Sequence, residues 1–221
     1  MNSEGNYVVV YLDDCIDLKL SKSLSKMVEQ LSKDLQNDLN NSDIKVIHMD
    51  KKINENMKIE EILKNPCVRE GDVLIIDNQL YSNASEVRLT GTSLFLYVKD
   101  LYPYKAVVLI TQNDINEDQD GYMYKKYSKE DMETEVEGYY NDVLSSVIKQ
   151  HLILSYKMYS LLAEQRKTNT DEGEKEILER LETICEGISE YRHITSKDID
   201  NLIKEFKDIE KILNQGDCNQ K

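Results

Sequence analysis

Basic residues are scarce in this chain. Its 221 residues include 28 lysines and arginines against 42 aspartates and glutamates, a net charge of −14. Binding duplex DNA depends on neutralising phosphates with Lys and Arg. The acid excess opposes that role, and no basic run offers a local patch. Cysteine is also sparse. Cys15, Cys67, Cys185 and Cys218 are scattered, and none forms a CxxC or a Cys/His pair at zinc spacing. No apolar stretch approaches the roughly 20 residues that span a bilayer. The start, Met1-Asn2-Ser3-Glu4-Gly5, lacks the basic-then-apolar order of a secretion signal. No period of about 20–50 residues repeats. The two prolines, Pro66 and Pro103, fall where helical patterns stop. These absences point to a reduced, soluble, cytoplasmic protein that binds neither nucleic acid nor membrane.

The 40% of hydrophobic residues are enough for a packed core. Tyr7–Leu12 is nearly uninterrupted apolar, as expected of a strand buried on both faces. Leu20, Leu24, Met27, Val28, Leu31, Leu35 and Leu39 then recur at helical spacing, ending near Asn40-Asn41. Ile44–Met49 reads as a second strand, and Ile53, Ile59, Ile62 and Leu63 as a helix stopping before Pro66. Val73–Ile76 is a third strand. After the polar stretch 78–90 comes a helix bearing Leu94, Phe95, Val98 and Leu101, closed by Pro103. Ala106–Ile110 and Tyr122–Lys125 complete five strands. Strands alternating with helices predict an α/β fold, a five-stranded parallel sheet in a three-layer sandwich.

The pattern changes after Ser128. One long helix is expected from Ser128, its N-cap, to about Lys167. Two amphipathic segments follow, one with Ile177, Leu178, Leu181, Ile184 and Ile188, the other from Ile199 to Leu213. The division expected is an α/β domain at 1–145 and an all-α extension at 146–221. That extension would be a helical hairpin, or a coiled coil able to pair two copies of the chain.

The strand ends carry the chemistry. The first runs into Asp13-Asp14, the third into Asp77, the fourth into Thr111 and the fifth into Lys125. In an open parallel sheet, sites form at the carboxyl ends of strands where strand order reverses. Carboxylates gathered there repel one another, and Mg²⁺ relieves that conflict with oxygen ligands. Asp13, Asp14, Asp77 and the backbone carbonyl near Gln79 are the candidate metal ligands. Asp77 is then the candidate phosphoacceptor, since a carboxylate can attack phosphorus to give an acyl phosphate. Lys125 would neutralise the phosphoryl oxygens and Thr111 would donate to them. The register leaves Lys126 open as the inward lysine. Each residue also has a plainer role: Asp13, Asp14 and Asp77 suit strand-end turns, and Lys125 and Lys126 suit solvent. His151, on a helix rich in Leu, Ile and Tyr, reads better as a packed histidine than as a phosphotransfer group.

YLDDC at 11–15, VLIIDNQL at 73–80, GTSLFLYVKDLYPYKAVVLITQND at 91–114 and GYMYKKY at 121–127 stand in one order. In that order the chain resembles the receiver domain of two-component response regulators, across roughly residues 7–145. The resemblance implies a flavodoxin-like sheet, Mg²⁺ as cofactor, Tyr122 as the switch aromatic, and a histidine kinase or small phosphodonor as partner. Several features depart from that family. The Asp14–Asp77 spacing is long, no proline follows Lys125, and Thr111 to Lys125 leaves too little chain for the usual fourth helix.

Two functions follow as expectations. One is a phosphoacceptor signalling protein, not an enzyme beyond its own phosphorylation and dephosphorylation, whose state at Asp77 alters protein contacts of the helical tail. The other is a pseudo-receiver that serves as a scaffold or oligomerisation module without phosphorylation, in a regulatory or defence assembly. A metal-dependent phosphatase or nuclease ranks last, because no further acid–base motif stands out.

Overall fold

The computed structural model of the chain describes residues 6–54, 57–80, 89–115, 122–128, 131, 133–168 and 179. The expected segments at 177–188 and 199–213 lie outside these residues, Glu179 excepted.

Five strands form one parallel sheet: β1 (Asn6–Asp13), β2 (Lys45–Lys52), β3 (Val73–Asp77), β4 (Ala106–Thr111) and β5 (Met123–Lys125). Their order is β2-β1-β3-β4-β5, the flavodoxin-like order. Every neighbouring pair is parallel, with Val9 opposite Val73, Ile76 opposite Leu109, and Thr111 opposite Lys125. The strand order reverses between β1 and β3.

Side chains alternate across a strand, so each face takes every second residue. Tyr7, Val9, Tyr11, Val73, Ile75, Val108 and Ile110 face one layer. That layer is α1 (Leu18–Leu39) and a long C-terminal helix. Val8, Val10, Leu12, Leu74, Ile76, Val107 and Leu109 face the other. There lie α2 (Ile59–Leu63), α3 (Pro66–Glu70) and α4 (Gly91–Leu101). The expected three-layer α/β sandwich is present.

Helix ends follow local chemistry. Asp17 caps α1 by accepting from the Lys19 and Leu20 amides at 2.8 and 3.2 Å. Asn40 ends α1 in the left-handed conformation, at φ 49°. Pro66 does more than stop a helix. It occupies the first turn of α3, where its missing N–H costs nothing, and Asn65 caps it. Gly91 opens α4 so close to β3 that a Cβ there would collide with the Asp77 carbonyl.

The C-terminal helix runs as α5 (Glu133–Tyr139), a π-helical turn (Tyr140–Leu144) and α6 (Ser145–Thr168). Its first helical residue, Glu133, comes later than the expected Ser128. The Ser128 amide donates to Asp131 at 2.5 Å, which closes a local turn. Val136, Tyr140, Leu144, Ile148 and Leu152 belong to the core on the α1 side of the sheet. The 145/146 boundary expected from sequence therefore falls inside a helix that helps build the α/β unit. No helix among the described residues is long and apolar enough to cross a membrane.

Candidate functional site

Asp13 ends β1 and Asp77 ends β3, on either side of the strand-order reversal. Alternation sends both side chains to the α1 face, in line with Tyr11 and Ile75. On β5 the same rule separates two neighbouring lysines. Met123 joins the α4 face and Tyr124 the α1 face. Lys126 therefore follows Tyr124 towards the carboxylates, and Lys125 follows Met123 away from them.

The Lys126 ammonium lies 2.8 Å from Asp13 Oδ2 and also pairs with Asp77 Oδ2. All three side chains are buried. Both carboxylates accept from further donors. The Tyr11 hydroxyl donates to Asp13 Oδ2, and the Cys15 amide to Asp13 Oδ1 at 3.1 Å. The Gln79 amide donates to Asp77 Oδ1 at 2.9 Å. The Lys126 ammonium also sits 5.9 Å from the centre of the Tyr11 ring.

Two carboxylates thus face one ammonium in a buried pocket. Burial raises the Asp77 pKa against the pull of Lys126, and Asp13 adds to the rise. Burial opposes the charge on Lys126, but Asp77 and Asp13 outweigh it and raise its pKa. The lysine is therefore held as an ammonium. Burial, then the Asp13 carboxylate, pushes the Tyr11 phenol up, so it serves as a donor.

The other candidates are placed as follows. Asp14, half-buried, follows Asp13 out of the strand. Thr111 is buried at the end of β4, and its hydroxyl accepts from the Asn113 amide at 3.2 Å. Lys125 donates to the Gln112 carbonyl at 3.3 Å and pairs with exposed Asp114 at 3.7 Å. Tyr122 has an exposed side chain, and its carbonyl accepts from Leu109. The Gln79 side chain donates to Asn113 at 3.1 Å. His151 lies on α6, where burial, then Lys99, lowers its pKa.

Asp13 and Asp77 therefore meet a lysine, and that lysine is Lys126. Sequence reasoning missed Tyr11 and the choice of lysine. Strand parity was the available signal: pairing Leu109 with Met123 puts Tyr124, and hence Lys126, on the Tyr11 face.

The donor set tests the fit of Mg²⁺. Each oxygen of Asp13 and Asp77 already accepts from a protein donor, and the ammonium occupies the space between the carboxylates. Among the described residues, no three His, Cys, Asp or Glu side chains gather where they could hold a metal ion. In this arrangement the residues do not fit Mg²⁺. No protein-family model matches the sequence, and no curated protein matches it.

Proposed function

We propose that the chain is a receiver-like interaction module of the cytoplasm, a pseudo-receiver. Its acid–lysine site acts as a lock on the sheet edge, and its output is contact with another protein. One observation carries this reading: Lys126 bridges Asp13 and Asp77, and every oxygen of the two carboxylates is engaged by a protein donor. A buried charge so paired holds the ends of β1, β3 and β5 in one geometry, because removing either partner strands the other. Exposed Leu96 and Tyr97 on α4, and Leu154 and Leu161 on α6, offer apolar side chains for protein contact. The resemblance to receivers supports the scaffold, and the net charge of −14 argues against nucleic acid.

A second reading keeps Asp77 as a phosphoacceptor served by a kinase or small phosphodonor with Mg²⁺. Its support is the position of Asp77 at the strand-order reversal with an ammonium on it. That chemistry requires Lys126 to release at least one carboxylate.

One experiment separates the two. The full chain is incubated with acetyl phosphate and MgCl₂, and intact mass is read beside Asp77→Asn. The lock predicts no added phosphoryl group. A gain of one such group in the parent chain but not in the variant establishes the phosphoacceptor instead.

A further inference from the structure

Among the described residues β5 is the edge strand, so its outer N–H groups have no described strand to bond. In an extended chain the amides of residues i and i+2 point one way and that of i+1 the other. The Lys126 amide points inward and donates to the Thr111 carbonyl at 2.7 Å. The amides on either side point outward, and each meets a tyrosine. Lys125 N–H donates to the Tyr139 hydroxyl at 2.9 Å. Tyr127 N–H donates to the Tyr140 hydroxyl at 3.1 Å.

The two tyrosines flank the junction between α5 and the π-helical turn. Their rings and that of Tyr127 form a T-shaped cluster with centroids 5.3–6.1 Å apart. π-Helical turns often mark functional positions, because the extra residue re-aims side chains. The ring of Tyr140 is fully buried. Burial is the main reason its pKa rises, to about 12, and the Lys126 charge acts on it in the opposite sense. The helix thus grips the backbone immediately before and after the one lysine that locks the carboxylates.

We infer that Tyr139 and Tyr140 are positioning residues for Lys126, and that through them the long helix senses whether the Asp13–Lys126–Asp77 lock is closed. The inference rests on the reading of that trio as a lock. Opening the lock releases Lys126, lets residues 125–127 shift, and withdraws the amides on which both hydroxyls bear. Loosening the helix at the π turn acts in reverse and moves the ammonium off its carboxylates. A protein bound to this helix would thereby be coupled to the sheet edge.

The test uses the full chain and the variants Tyr139→Phe, Tyr140→Phe and Asp77→Asn. Phenylalanine keeps the rings and removes only the hydroxyls. Hydrogen exchange is followed at 125–127 and at 136–148, and the ¹⁵N shift and pH titration of the Lys126 amine are followed by NMR. The expected result has two halves. Tyr139→Phe speeds exchange at the Lys125 amide, and Tyr140→Phe at the Tyr127 amide, each about tenfold, and both displace the lysine signal. Asp77→Asn, with no tyrosine altered, speeds exchange at the π turn. An unchanged lysine signal in both Phe variants, or an undisturbed π turn in Asp77→Asn, overturns the inference. Acetyl phosphate labelling is scored separately. Labelled Asp77 with the coupling intact would refute the pseudo-receiver reading and leave the coupling standing.

Discussion

Lys126 and Asp13 stand 113 positions apart in the chain, and their charged groups meet at 2.8 Å inside the protein. Lys125, one position away, spends its charge on a carbonyl and an exposed carboxylate. The two lysines therefore have unequal consequences. Lys126→Met leaves Asp13 and Asp77 buried without a cation. It is expected to cost about 3–5 kcal/mol at neutral pH. Lys125→Met is expected to cost less than about 0.5 kcal/mol. Urea denaturation of both variants checks the contrast. The loss in Lys126→Met should shrink as pH falls, since protonation discharges the stranded carboxylates.

A second charged pair sits at the opposite, amino-terminal end of β3. Asp72 accepts from the Val8 amide at 2.8 Å, and burial pushes its pKa up from 3.8 to about 6, against the pull of Val8 and Lys105. Lys105 donates to the Arg69 and Gly71 carbonyls, and burial lowers its pKa to about 8. A carboxyl with a raised folded pKa binds more protons in the folded state. Stability contributed through Asp72 is therefore greatest below about pH 4 and falls as pH rises to about 6. Asp72→Asn should flatten that decline by about 2 kcal/mol, measured as folding free energy across the same range.

Gly91 tests how Asp77 is held. A methyl group at this position meets the carbonyl of Asp77 and the Cα of Asn78. Asn78 in turn accepts from the amide and hydroxyl of Thr92 at 3.0 and 2.7 Å, tying the strand end to α4. Gly91→Ala is expected to lower stability by about 1–3 kcal/mol. It should also displace the Asp77 carboxyl resonance. Circular dichroism melts and carboxyl-carbon NMR are the two measurements.

The long helix can be assigned to the core by truncating side chains on opposite sides. Ile148 is fully buried against the sheet and Leu154 is 65% exposed. Ile148→Ala should cost about 2–5 kcal/mol, and Leu154→Ala less than about 1 kcal/mol. Equal effects in denaturant would detach the helix from the sheet.

Much of the sandwich was legible in the sequence because β1, β3 and β4 are buried on both faces. Such strands write themselves as unbroken apolar runs, Val8–Leu12, Val73–Ile76 and Ala106–Ile110. Asp13 and Asp77 were legible as the residues at which those runs stop. The lysine was not. β5 is three residues long, too short for its alternation to stand out, and two lysines end it. Tyr11 read as one more apolar strand residue, and its hydroxyl mattered only once Asp13 was placed beside it. The N-terminus of the long helix was harder to read, because Ser128 suits a cap and a turn equally, and its amide donates to Asp131. The π turn has no composition of its own. Its effect lies in where Tyr139 and Tyr140 point, which depends on the edge they cover.

The stripe Val136–Tyr140–Leu144–Ile148–Leu152 also sets an order of events during synthesis. The strands among the described residues are all made by Lys125, yet one side of the sheet then has α1 without this helix. A nascent chain released from the ribosome tunnel only as far as β5 would have α1 on that face but not the stripe that completes the cluster. Completion of the α/β unit waits for a helix translated after its last strand.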